Sequence, residues 1–441
     1  MTTSTHRPRE LHLHTRLDPL STMERILHAV PDTEDVVVYE GTDSWYYAQG
    51  VLAEIQVDAR HVRRVHGTEC EIRPWHGDPL PLVAEALREL GIPGWRAYGW
   101  AGFELAYAKA GMPELLDGTW PLLHLIVPRT EMIISGNDAV IRGEGADTIR
   151  EALARDEPAP RHEPKPLDPA ASDGEHYRTA VAAAVSEIEQ NRLQKVILSR
   201  EVEVGYDVDL VASYVLGRRN NQPARSFLLR MGNLRAAGFS PETVVEVSAD
   251  GEVRSQPLAG TRAMTADAVR NSRLRQELLT DPKEIHEHAI SVKAVYDELL
   301  PLCEPGSTLV ENFMAVKERG TVQHLGSQVT GRLRAGQGPW DAFAAVFPGV
   351  TASGIPKKAA YRTIRRHERS ARGLYSGAVL TVAEDGSMDA ALVLRSLYQR
   401  DGRTWLRAGA GIVRQSRPER EFEETCEKLS SVAGHLVPRG G

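Results

Sequence analysis

Cysteine is nearly missing from this sequence: Cys70, Cys303 and Cys426 form an odd, widely spaced set with no CxxC pair. That excludes a disulfide framework and a zinc knuckle, and fits a reducing compartment. Long apolar runs are missing too; none approaches the roughly 18 residues that a membrane-spanning helix needs. The stretch from Met1 to Leu17 is polar and rich in His and Arg, without the apolar core of a signal peptide. Positive charge is not in excess, since 53 Lys and Arg face 60 Asp and Glu for a net −7. A nucleic-acid or membrane surface would favour a basic patch, so neither partner is expected. These absences point to a cytoplasmic protein.

The composition that remains is ordinary for a globular protein, with 41% apolar and 26% charged residues in 441. Such a length buries a large core without disulfides or a structural metal. Residues 1–155 read as short strands, turns and a few helices, with Asp35–Tyr39 and Leu122–Pro128 as strands and Leu82–Leu90 as a helix. Residues 156–170 hold five prolines and read as a linker or surface loop. Residues 171–441 carry the motifs, and the whole reads as one structural unit. A helix is expected after a Ser172-x-x-Glu175 capping box, with Tyr177, Val181, Val185 and Ile188 as its apolar stripe. Lys195–Val204 reads as a strand.

Lys283–His288 opens a helix running to about Leu300, whose apolar stripe is Ile285, Ala289, Val292, Tyr296 and Leu299. Glu284 and Glu287 neighbour one another on an adjoining face. A second helix begins at Ser416-Arg417-Pro418-Glu419, which has capping-box spacing, and puts Glu421, Glu424 and Lys428 on one stripe. A single ExxE is usually a solvated acidic edge. Two of them, on two helices, suit a hard cation with oxygen ligands, and Mg²⁺ takes one or two carboxylates and keeps waters. A di-iron carboxylate site would instead need ExxH motifs in a four-helix bundle. Arg407–Gly411 (RAGAG) has glycines that let a ligand approach backbone N–H groups, although a tight turn explains it equally well. Glu242 follows a Ser-Pro turn, where burial would make its carboxyl a general acid and exposure an ordinary turn residue.

Taken together these segments resemble the chorismate-utilising enzymes, the anthranilate synthase component I-like family, and within it the salicylate synthases of siderophore pathways. The resemblance rests on KVILSR (195–200), GFSPE (238–242), PLAGTRA (257–263), KEIHEHAISV (283–292), VQHLGSQVTGRL (322–333), FPGVTASGIPK (347–357), RGLYSGAV (372–379), TWLRAGAGIV (404–413) and PEREFEETCEKLS (418–430). Ala101–Glu104 matches more weakly. It implies an α/β (α+β) fold with a large antiparallel sheet core and helices outside, and the site in the C-terminal half. It implies a Mg²⁺-dependent conversion of chorismate to isochorismate and then to salicylate plus pyruvate. An isochorismate synthase that stops after the first step and a non-catalytic chorismate- or metal-binding protein are the alternatives. By the same resemblance Lys195 is the general base and Glu242 the general acid. Glu284, Glu287, Glu421 and Glu424 hold the metal, with Lys428 beside it. Tyr375 and Arg395 clamp the enolpyruvyl carboxylate, amides near Gly409 and Gly411 complete the anion site, and Gly260, Thr261 and His324 wall the ring. A lysine serves as a base when burial or a cationic neighbour lowers its pKa. Ala259 stands where aminodeoxychorismate synthases carry a nucleophilic lysine, and Lys195 favours water over ammonia. A downstream salicylate-activating enzyme is a further implied partner.

Overall fold

Strands such as Val36–Glu40 are apolar at successive positions because both of their faces are buried. Val36 and Val38 join one core cluster, and Val37 and Tyr39 another, as the two-residue period of a strand requires. This pattern repeats through two large antiparallel sheets packed face to face. The computed structural model describes residues 10–155, 160–172, 174–319 and 322–440.

Among the described residues one sheet has 11 strands and the other 12, and every pairing between them is antiparallel. The first runs Glu10–His14, Asp138–Gly143, Thr130–Ser135, Trp45–Gln49, Val36–Glu40, then Arg225–Met231, Leu234–Ser240, Ser396–Arg400, Arg403–Ile412, Lys195–Glu203 and Gly354–Ile355. The second runs Leu258–Ala263, Val322–Arg332, Glu252–Ser255, Thr243–Val247, Met388–Leu392, Ala378–Ala383, then Arg96–Ala101, Leu123–Val127, Ala53–Val57, His61–His66 and Glu69–Pro74. Leu309–Arg319 pairs with Val322–Arg332 beside that path. Each sheet is thus spliced from an N-terminal and a C-terminal block, joined at Val36–Glu40 with Arg225–Met231 and at Arg96–Ala101 with Ala378–Ala383.

An aromatic layer containing Tyr39, Tyr98, Trp100, Tyr375, Tyr398 and Trp405 fills the space between the sheets. Helices cover the outer faces, completing the four layers.

Several local expectations shift. The first predicted helix spans Leu80–Arg88, two residues early, because Asp78 accepts the Leu80 N–H (3.0 Å). The helix after the proline-rich stretch starts at Gly174, and the Ser172 hydroxyl is buried without a partner among the described residues instead of capping it. Asp173, Met1–Arg9 and 156–159 lie outside the described residues. The rest of the proline-rich stretch runs without helix or strand over 160–168 and is tied to the C-terminal helix by Lys165 N–H to Leu436 O (2.7 Å) and Leu167 N–H to Ala433 O (3.1 Å).

The helix Pro282–Leu299 buries Val292 and Leu299 of its apolar stripe, but turns further inward the face that carries its carboxylates. Glu284, Glu287, His288, Ser291 and Val295 are buried, whereas Ile285, Ala289 and Tyr296 are only half-buried. The carboxylate face wins because cations meet it inside. The helix Pro418–Ala433 likewise buries Glu421 and Glu424 beside Phe422 and Leu429. Its expected capping box does not form; the Ser416 hydroxyl accepts the Val413 N–H (3.1 Å) instead. RAGAG is not a turn either, since it runs inside the strand Arg403–Ile412.

Candidate active site

A cavity of about 700 Å³, counting its open mouth, is lined entirely by residues between Ile197 and Lys428. Of the residues expected there, Glu242, Gly260, Thr261, Glu287, His324, Tyr375, Arg395, Gly409, Gly411, Glu424 and Lys428 line it. Lys195, Glu284 and Glu421 do not, but each is joined to the lining. Lys195 Nζ pairs with Glu287 (2.9 Å), Glu284 Oε2 accepts the Thr261 N–H (3.3 Å), and Glu421 shares Lys283 with Glu284.

The two helices bring their four carboxylates together, each against a cation. Glu284 pairs with Arg262 (2.8 Å), Glu287 with Lys195 (2.9 Å), Glu421 with Lys283 (2.9 Å) and Glu424 with Lys428 (2.7 Å). Two of the carboxyl groups are pushed up: Glu284 and Glu421 both by burial and then by Glu424. Burial also raises Glu424, but Lys428, Lys283 and Arg420 outweigh it and hold it well below the usual carboxylate range. Burial lowers Lys283, but the four surrounding glutamates outweigh it and raise its pKa, so they share one electrostatic centre. Glu421 Oε2 is buried with no hydrogen-bond partner. Among the described residues no three acidic, His or Cys side chains converge as a ready cage. An all-oxygen set with one unmatched buried oxygen fits a hard cation that keeps several waters, which is how Mg²⁺ is usually held. The four-helix bundle that a di-iron site requires is absent from this sheet architecture.

Lys195 is fully buried at the start of its strand and also donates to Ser291 Oγ (3.0 Å). Ser291 in turn donates to the Glu287 carbonyl (2.7 Å), one helical turn back. Glu242 sits between the strands Leu234–Ser240 and Thr243–Val247. Its Oε2 accepts the Leu258 N–H (2.8 Å) and its Oε1 meets the Thr351 hydroxyl. Burial pushes the carboxyl up to about 7, against the pull of Thr351, Leu258, Lys195 and Lys428. It is therefore a group that exchanges a proton near neutrality.

The wall beyond is cationic. Arg395 donates to His324 Nε2 and to the Arg319 carbonyl (3.1 Å). Since that nitrogen accepts, the imidazole carries its hydrogen on Nδ1, facing Gly260 O (3.3 Å) and Thr261 Oγ1 (3.0 Å). Burial, then Arg395 and Lys428, push His324 well down, so it stays neutral. Arg395 has φ +52°, a left-handed conformation that costs a non-glycine residue about 1–2 kcal/mol. Gly260 has φ +80°, and a Cβ there would come within 3.1 Å of Glu284 Oε2.

The two strand glycines serve close approach. A Cβ at Gly411 would fall 2.2 Å from Glu287 Oε1, and one at Gly409 would fall 2.9 Å from Tyr375 Oη. Gly411 pairs with Ile197 and Gly409 with Ser199, but the Ile197 N–H goes to Ser353 O and the Ser199 N–H to Glu368. Both pairs are therefore of the non-bonded kind, and the glycine amides point away from that strand. Lys428 Nζ donates to Gly409 O (2.9 Å) on the same side.

Sequence reading missed several groups. Thr351 lies inside FPGVTASGIPK and Ser291 inside KEIHEHAISV, yet neither type stands out there. Lys283 and Arg262 were passed over as partners of the carboxylates. The weak Ala101–Glu104 match marks a support: Glu104 accepts the N–H groups of Arg372 (2.7 Å) and Gly373 (3.0 Å), fixing the turn before Tyr375.

No helix is long and apolar enough to cross a membrane among the described residues. Residues 34–434 match the family described as chorismate binding enzyme. A salicylate synthase from Mycolicibacterium paratuberculosis is 43% identical over 420 residues, 92% of this chain and 90% of that protein. An anthranilate synthase component 1 from Aquifex aeolicus is 34% identical over 258 residues, 58% of this chain and 52% of that protein. The menaquinone-specific isochorismate synthase of Escherichia coli shares the fold, with a TM-score of 0.72 at 21% identity over 98% of this chain and 96% of that one. With a family match spanning nearly its whole length, the chain belongs to the chorismate-binding enzymes.

Proposed function

We propose that this protein is a salicylate synthase that converts chorismate to isochorismate and then to salicylate and pyruvate. The observation that carries the reading is the convergence of a buried acid (Glu242), a buried amine (Lys195) and two carboxylate-bearing helices on one cavity. The 43% identity to a salicylate synthase over most of both chains supports it.

In the first step the Lys195 amine takes a proton from water while that water bonds to ring carbon C2. The ring double bonds shift, the C4–O bond breaks, and Glu242 gives its proton to the departing hydroxyl, which leaves as water. Glu287 and Glu424 would hold Mg²⁺, with Glu284 and Glu421 ligating directly or through waters. When bound, the ion offsets the charge of the ring carboxylate. Tyr375, Arg395 and the amides of Gly409 and Gly411 bind the enolpyruvyl carboxylate, and Arg395's planar fork suits two-point contact. Gly260, Thr261 and His324 wall the ring, and Lys428 adds positive charge. In the second step hydrogen passes from C2 to the enolpyruvyl methylene carbon, the C3–O bond breaks, and the ring becomes aromatic. The pocket's task there is to hold the side chain over the ring. The salicylate would feed a siderophore or related product through a salicylate-activating enzyme in the cytoplasm.

The test is incubation with chorismate and Mg²⁺, reading salicylate fluorescence and pyruvate. Equal amounts of both support the proposal. Isochorismate without pyruvate would mean an enzyme that stops after the first step, and binding without consumption would mean a non-catalytic protein.

A further inference from the structure

We propose that Thr351 is a positioning residue for the acid step, holding the transferable proton of Glu242 on Oε1 and supporting the carboxylate as that proton leaves. The inference rests on Glu242 being the acid. The two oxygens of Glu242 have partners of different chemistry. Oε2 faces the Leu258 N–H at 2.8 Å, and Leu258 is anchored in a strand, paired with Gly326. A backbone amide only donates, so Oε2 is an acceptor in every protonation state. Oε1 faces the Thr351 hydroxyl, which donates or accepts. A neutral carboxyl therefore carries its proton on Oε1, with Thr351 turned to accept it.

Thr351 is held in place by contacts to the backbone on either side of it. Arg372 Nη1 donates to the next residue's carbonyl, Ala352 O (2.7 Å), and the Ile197 N–H donates to Ser353 O (2.9 Å). Upstream, the half-buried amine of Lys109 donates to the carbonyls of Ala344 and Phe347, and that of Lys357 donates to Val346 O (2.9 Å). These are unpaired carbonyls at a helix end, where a cation is most effective. The loop thus presents the hydroxyl at a fixed point.

When the substrate hydroxyl departs, the Oε1–H bond breaks and the proton passes to the leaving oxygen, which keeps the C4–O electron pair. Thr351 then turns to donate to the carboxylate that has formed. The bond strengthens as charge develops, so it favours the transition state over the ground state. The other charged groups near Glu242 are Lys195 and Lys428, which favour its ionised form, and Arg395, whose own pKa Glu242 raises.

The experiment is chorismate consumption against pH for the intact protein with Mg²⁺. Thr351→Val keeps the shape and removes the hydroxyl. We expect kcat to fall roughly tenfold, KM to change little, and the alkaline limb to move up by about one pH unit, since a donor to the carboxylate is lost. Thr351→Ser should restore both. A purely structural role would lower kcat and leave the limb in place. A limb that stays or moves down in Thr351→Val, or a Thr351→Ser enzyme that behaves like Thr351→Val, overturns the inference. Should Thr351→Val lose its cooperative melt, Thr351→Ala carries the same readout. Glu242→Gln separates the two levels. If it consumes chorismate at the parental rate, Glu242 is not the acid and both readings fall. If it is inactive while the Thr351 limb is unmoved, only this inference falls.

Discussion

Two buried clusters of charge share the same pair of strands and are built to opposite standards. Lys195–Glu203 contributes Lys195 to the carboxylate cluster beside the cavity and Ser199 to the second cluster, and Arg403–Ile412 contributes Gly409 and Gly411 to the cavity and Arg407 to its wall and the second cluster. In the second cluster Glu368 accepts from the Ser199 N–H (2.8 Å), Ser199 Oγ (2.9 Å), Arg372 Nη2 (2.6 Å) and Arg407 Nη2 (2.7 Å). Burial pushes Glu368 up, yet Arg372 and Arg407 outweigh it and hold it low. In the cavity cluster an oxygen of Glu421 has no partner and neighbouring carboxyl groups are driven apart in pKa. A buried charge network that is complete braces the fold; one left incomplete has capacity for something from outside.

The comparison can be broken at several points. The largest effect is expected at Lys195→Ala, which should lower chorismate consumption by on the order of 10³-fold, about 4 kcal/mol in barrier. Parental turnover would remove Lys195 from the chemistry. Next, Glu368→Ala should cost about 3–5 kcal/mol of unfolding free energy in a denaturant melt, because buried Arg372 loses its counter-ion and buried Arg407 is left with Glu201 alone. A loss below 1 kcal/mol would mean that the second cluster is not a brace. Third, Mg²⁺ at about 100 times its Kd should stabilise the fold by roughly 2.7 kcal/mol, read as a rise in Tm. Glu424→Gln should abolish that rise, and a parental rise in that variant would place the ion elsewhere.

Smaller effects sharpen the contrast. Glu242 acts while protonated and titrates at about 7, so consumption should fall roughly tenfold per pH unit well above that value. The same raised carboxyl should make unfolding free energy fall as pH rises from 4.5 to about 7, because it ionises first in the unfolded chain, whereas a depressed carboxyl such as Glu368 loses its contribution only at low pH. A rate that keeps rising past pH 8 would contradict the acid assignment. The smallest change is expected at Glu421→Gln. It keeps an acceptor for Lys283 and relieves repulsion from Glu424, so unfolding free energy should move by under about 1 kcal/mol.

Much of this was legible in the residues. The family resemblance carried by the motifs implies an antiparallel core, and the paired ExxE spacing marks both helices that meet at the cavity. What stayed hidden has a common physical cause: side-chain partners brought in from far along the chain. The apolar stripe of Pro282–Leu299 predicts only part of the inward face because Lys195 and Arg262, which make Glu287 and Glu284 buriable, come from elsewhere. RAGAG reads as a turn until its glycines are seen to clear space for Glu287 and Tyr375. Ser416 and Ser172 have capping-box spacing, but the Ser416 hydroxyl goes to the Val413 N–H and the Ser172 hydroxyl has no partner among the described residues. Thr351 carries no local signature, since its meaning depends on Glu242, 109 residues away.

The spliced sheets bear on any attempt to work with the catalytic half by itself. Cutting the chain in the proline-rich stretch would strip Val36–Glu40 from Arg225–Met231 and Arg96–Ala101 from Ala378–Ala383. Both newly bared strands are buried along their length, and such raw edges recruit other chains into aggregates. The reactive portion is therefore not a portable cassette, and a swap between relatives would have to carry the matching strands of residues 36–101 along with it.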